Sequence, residues 1–185
     1  MTPVSDHFSL PARLLHWSMA ALILSMLFIG VGMVATVTQA RNALLSVHRP
    51  LGIALLALVL IRLYVRFKHR APALPGNIPD SQKLAAKLSH LVLYVLMVAM
   101  PLIGWAMLSA AGYPIMLYGP LHLPPITPVS VKLFALLRAL HTWLAFALFL
   151  TVLMHIAAAL LHGLVRRDGV FSSMARGARR FLPSP

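Results

Sequence analysis

Residues 136–165 read LLRALHTWLAFALFLTVLMHIAAALLHGLV, with one arginine, three histidines and no acid among them. About 20 predominantly apolar residues suffice for a helix to cross a bilayer, and this run exceeds that. Three earlier runs qualify, at about 14–37, 51–67 and 88–109. The second is short because Arg62 interrupts it; with the polar turn at its start it covers about 46–67. The fold class that follows is all-α, a transmembrane four-helix bundle, in a single domain over 1–185.

Composition agrees. Of 185 residues, 60% are hydrophobic and only 10% charged, against about 45–50% and about 25% in soluble domains. The chain has no cysteine, which excludes disulfides, thiolate metal sites and iron–sulfur clusters. The net charge of +13 comes from 16 Lys and Arg against 3 Asp and Glu. The basic residues flank apolar runs and form no face interleaved with aromatics. They therefore point to lipid headgroups and to no nucleic-acid partner. Asp6, Asp80 and Asp168 all lie outside the apolar runs, which argues against a transporter coupled through intramembrane carboxylates. Thr38-Gln39-Ala40 faintly resembles a signal cleavage site. The first run is nevertheless too long for a signal core of about 7–15 residues and is read as a retained helix.

Charge predicts the orientation. Arg13, Arg62, Arg66, Lys68, Arg70, Lys83, Lys87, Arg166, Arg167, Arg176, Arg179 and Arg180 fall on one side, and Arg41, Arg49, Lys132 and Arg138 on the other. The positive-inside rule puts both termini and the 68–87 loop in the cytoplasm. The longer outer loop carries Pro114, Pro120, Pro124, Pro125 and Pro128 and reads as a stiff irregular cap. Pro101 is expected to kink the third helix. Trp17 and Trp105 suit an interfacial belt.

Nine histidines carry the functional argument. Fourteen residues separate His141 from His155, a turn of about 1400°, some 40° short of four full turns. The two share a face and lie about 21 Å apart along the axis. That spacing places two planar cofactors in series across a membrane about 30 Å thick. Depth then selects partners on other helices: His16 with His155 on the inner side, His48 with His141 on the outer side. Two imidazoles on opposite faces of a porphyrin make the iron six-coordinate, as electron transfer requires. Zinc fits poorly, since each pair has no further Asp, Glu or Cys to complete its shell.

Arg62 supports the pairing independently. It follows His48 by fourteen residues, so it shares that face at the depth of the inner pair. An arginine in a span needs a partner, and a haem propionate is expected to supply it. Arg13 and Arg138, each three residues before a histidine, are candidates for the same role. Gly52, one turn after His48, would let a porphyrin approach the backbone. His162, two turns beyond His155, reads as an interfacial histidine, a replacement ligand or part of a quinone pocket. His90 reads as a polar bridge between helices, and His7, His69 and His122 as loop positions.

The chain resembles the bacterial di-haem cytochrome b561 family over nearly its whole length. The resemblance is carried by Arg13-Leu14-Leu15-His16-Trp17, Val47-His48-Arg49-Pro50-Leu51-Gly52, Arg62-Leu63, Pro101-Leu102-Ile103-Gly104, Leu140-His141 and Met154-His155. It implies two haem b groups on His16, His48, His141 and His155. It also implies superoxide oxidation outside and ubiquinone reduction near His162, close to Arg166 or Arg167, with Arg41, Arg49, Lys132 and Arg138 steering the anion. Related four-helix cytochromes imply an alternative, a haem b anchor subunit passing electrons between a dehydrogenase or hydrogenase and the quinone pool.

Overall fold

A computed structural model describes residues 7–68, 72, 78–118 and 121–175. His69, Arg70, Pro120, Arg176, Arg179 and Arg180 therefore lie outside the described residues, as does Asp6. Four long helices follow the expected runs: α1 Leu10–Ala35, α2 Gln39–Lys68, α3 Asp80–Ala110 and α4 Val131–Leu160. Each is long and apolar enough to cross a membrane. α4 continues through a π-helical turn, Leu161–Arg166, and a short α5, Val170–Ala175, folds back beneath the bundle.

Local chemistry sets the ends. Pro11 opens α1, where its missing N–H is no loss. Thr38 caps α2 by accepting the Ala40 N–H at 3.3 Å, and Ser130 caps α4 by accepting the Leu133 N–H at 3.3 Å. α2 and α3 begin well before their apolar runs, because Gln39–Ser46 and Asp80–Lys87 are polar but helix-compatible. Pro101 lies within a continuous α3.

The cap between α3 and α4 is more regular than its prolines suggest. It contains an antiparallel hairpin, β1 Ile115–Tyr118 with β2 Leu121–Leu123, pairing Ile115 with Leu123 and Met116 with His122. Ile115 is buried beneath it. Side chains of α3 stitch the cap down. The Trp105 indole donates to Pro124 O at 2.9 Å, Ser109 Oγ accepts the Ile126 N–H, and Thr127 Oγ1 donates to Ala106 O.

Close backbone packing runs from α1 to α2, α2 to α3 and α3 to α4; neither α1 nor α2 packs closely on α4. The buried positions are few and scattered, among them Met19, Val59, Leu96 and Leu148. Many large apolar side chains face outward, Phe28 at 76% and Phe67 at 86% exposure. Such a surface is untenable in water but natural in lipid.

Candidate functional site

Histidines of α1 and α2 each meet one of α4, although neither helix packs closely on α4. His16 of α1 and His155 of α4 have ring centroids 6.2 Å apart with planes at 67°. His48 of α2 and His141 of α4 have centroids 6.3 Å apart with planes at 70°. Both pairings are those expected from depth and helical face. His90, on the first half of α3, joins the inner pair. Its Nδ1–H donates to Ala86 O at 2.8 Å, and its ring lies 5.7 Å from that of His155. It thus links the α3 backbone at Ala86 to the ring of His155 on α4.

The donor set discriminates between metals. Among the described residues no group of three or more His or acidic side chains is placed to hold an ion. A bare ion such as zinc takes four ligands, whereas haem iron already has four porphyrin nitrogens and needs two more. An imidazole nitrogen binds a metal at about 2 Å and its ring centre lies about 1 Å behind, so two opposed imidazoles bracketing an iron have centroids roughly 6 Å apart. The observed separations fall at that value. The Nδ1 atoms of His48 and His141 are buried without hydrogen-bond partners, an arrangement that otherwise costs about 1–3 kcal/mol per group. The residues present fit haem.

Cations surround both pairs, though not all as expected. Arg62 reaches the inner pair, donating from Nη2 to His16 Nδ1 at 3.1 Å. Its Nε donates to Tyr94 Oη at 3.2 Å and its Nη1 to Ala12 O at 3.3 Å. A small crevice beside it is lined by Phe8, Ala12, Arg66, Tyr94 and Met174. Arg13 bonds instead to the end of α5, Nε to Met174 O at 3.2 Å and Nη2 to Ala175 O at 3.3 Å. The Trp17 indole joins it on Met174 O, a structural contact beyond a belt position. At the other end Arg138 is exposed and lines an open groove of about 410 Å³ with Phe134, Thr142, Trp143 and Phe146. The half-buried cation there is Arg49, next to His48, with a buried and unpartnered Nε.

Gly52 faces Met26, whose Cε lies 3.8 Å from where a Cβ would stand. The tighter glycine is Gly104, where a Cβ would lie 3.3 Å from His141 Cε1. Gly104 thus sets the room for the outer imidazole. Spacing from the histidines does not reveal it, because it sits on a different helix. Replacing Gly104 with Ala should shift His141 by tenths of an ångström and leave the haem content of the purified protein unchanged. Leu at this position should displace the ring and, if haem binds at this pair, lower that content.

His162 lies at the end of α4, 19% exposed, with Nδ1 2.5 Å from Oδ2 of Asp168, whose side chain is 7% exposed. Burial opposes ionisation of this carboxyl, but its hydrogen bonds to His162 and to the Val170 N–H outweigh that and hold it below the ordinary carboxylate range. Arg166 pairs with Gln82 Oε1 of α3. Arg167 Nε turns back to Leu164 O.

Four membrane-crossing helices enclosing two stacked pairs of histidines define the class: a membrane b-type cytochrome bundle. Comparison with known proteins agrees. The prokaryotic cytochrome b561 family model matches residues 7–177, and the chain belongs to this family of haem b electron-transfer proteins. It is 27% identical over 176 residues to cytochrome b561 homolog 2 of Escherichia coli (strain K12), spanning 94% of this chain and 93% of that one. Cytochrome b561 homolog 1 of the same organism is 31% identical over 128 residues, 69% of this chain and 72% of that one. The probable superoxide oxidase CybB of Yersinia pestis is 30% identical over 131 residues, again 69% and 72%. The chain is thus a multi-pass bacterial membrane protein of oxidoreductase type.

Proposed function

We propose that this chain carries two haem b groups, one between His16 and His155 and one between His48 and His141, and moves electrons from superoxide at the outer haem to ubiquinone beside the inner one. The observation that carries this reading is the pair of imidazole separations, 6.2 and 6.3 Å, on helices that otherwise stand apart. Haem supplies reversible one-electron chemistry at each level.

The remaining work falls to side chains. Arg62, held in place by Tyr94, balances charge at the inner level, and Arg49 does so at the outer level. On this reading the chain lies in the bacterial inner membrane, and the charge count supports both termini in the cytoplasm and the hairpin outside. Arg41, Arg49, Lys132 and Arg138 then form an outer surface without acids among the described residues, which attracts a small anion. The similarity to a probable superoxide oxidase supports that donor. His162, beneath the inner pair, is placed in the quinone site, with Arg166 and Arg167 near it.

Superoxide should reduce the purified, haem-loaded protein at a rate that falls several-fold between about 0.01 M and 0.15 M salt, because the screening length shrinks from about 30 to about 8 Å. Reversing Lys132 and Arg41 to Glu should flatten that dependence. A salt-independent rate would remove steering by these cations, and no reduction by superoxide at any salt would remove superoxide as donor. Haem reduction that appears only with a soluble dehydrogenase would favour the anchor-subunit reading.

A further inference from the structure

Asp168 is one of 3 acidic residues in a chain of 185, and its carboxyl is almost wholly buried. The chain bends sharply to put it there. After the π-helical turn Leu161–Arg166, Arg167 takes the left-handed conformation at φ 50° and Gly169 follows at φ 88°. This reversal returns Asp168 toward His162 and starts α5. Gly163 allows α5 to dock, since a Cβ there would meet Phe171 at 3.0 Å.

The two carboxyl oxygens have separate tasks. Oδ1 accepts the Val170 N–H at 3.2 Å and caps α5. Oδ2 is devoted to His162 Nδ1. A cap alone needs only the first contact, and asparagine would serve equally well. The second contact is the one that matters for chemistry. A carboxylate that accepts one imidazole N–H orients the ring, so that when the ring carries both protons the second N–H points away from the carboxylate.

We propose that Asp168 is a positioning residue that holds His162 with its Nε2–H directed to a carbonyl oxygen of the quinone and ready to protonate it. The proposal rests on the quinone reading given above. When the quinone accepts electrons from the family's haem b chain, the Nε2–H bond breaks and a quinone O–H bond forms. The imidazole is left neutral with its Nδ1–H still on Asp168. Cytoplasmic water returns the proton to Nε2. The second proton of the quinol is taken from the same side by repeating the cycle.

The test uses the full-length, haem-loaded protein in nanodiscs of phosphatidylethanolamine and phosphatidylglycerol, reduced with stoichiometric dithionite and mixed with ubiquinone-1. Haem reoxidation is followed against quinone concentration. Asp168→Asn keeps the α5 cap but loses the carboxylate, so it should leave haem content and spectrum unchanged and lower the saturating rate about tenfold or more. Asp168→Glu should recover part of the rate. His162→Gln should lose a similar factor, and adding Asp168→Asn to it should cost nothing further, because the two act as one unit. A full rate in Asp168→Asn would overturn the proposal and leave quinone reduction standing, as would losses that multiply in the double variant. Reoxidation of the unaltered protein by ferricyanide but not by ubiquinone-1 would remove the quinone reading and this proposal with it.

Discussion

Replacing His48 or His141 with Ala should lower the haem content from about two to about one per chain, and replacing both should lower it no further. The reason is the geometry of shared ligation. The two rings face each other at 6.3 Å, so a haem held between them would lose one of its two protein ligands with either replacement. A second haem, held on the proposed pairing by His16 and His155 about 21 Å away along α4, should survive. The same result in mirror image is expected for His16→Ala and His155→Ala. Measuring the pyridine haemochrome per chain, together with the reduced-minus-oxidised spectrum, separates the four variants into two groups. Loss of all haem from every single variant would mean that ligation is not pairwise. A crossed pattern, in which His90→Ala matches His155→Ala while His16→Ala keeps both haems, would move the inner ligand from His16 to His90, whose ring is also near His155.

Replacing Arg62 with Gln should lower the midpoint potential of the inner haem by tens of millivolts and leave the outer one unchanged. The guanidinium donates to His16 Nδ1, and arginine has no acceptor atom. That bond and iron ligation exclude each other. If iron binds Nε2 of His16, the neutral ring carries its proton on Nδ1 and cannot accept from Arg62. If iron binds Nδ1, the lone pair is used. Ligation therefore releases one donor of Arg62, while Tyr94 Oη and Ala12 O still fix the rest of the group. The freed donor faces the cofactor level, where a propionate is its natural acceptor. A unit charge on the order of 10 Å from a redox centre, at an effective dielectric of about 20, is worth roughly 2 kcal/mol, which for one electron is on the order of 80 mV. Positive charge favours the ferrous form, so its removal lowers the potential. A spectroelectrochemical titration in which neither haem moves would place Arg62 in a purely structural role.

Much of this protein is legible in its sequence because the governing rules are local. Whether a segment crosses the bilayer depends on its own hydropathy and length, so the four spans emerge directly. Which residues share a helix face depends only on a fixed turn per residue, so His141 and His155 align, and Arg62 aligns with His48, before any packing is known. Alternating passage through the membrane then gives each histidine an expected depth, and depth the expected partners.

What the tertiary structure alone decided are contacts between chain segments whose approach no local pattern encodes. Arg13 reaches Met174 and Ala175 because α5 folds back, and α5 folds back because Arg167 and Gly169 take positive φ. Neither event has a periodicity to read. Asp168 looks solvent-borne in sequence and is buried because that same reversal carries it to His162. Gly104 faces His141 because of how α3 lies against α4, and Arg49 rather than Arg138 turns a buried nitrogen inward because of how α2 lies in the bundle. Sequence periodicity thus fixes where each helix sits in the membrane and which face it turns; the rotation and close approach of helices to one another, set by side-chain packing, decide which polar groups meet.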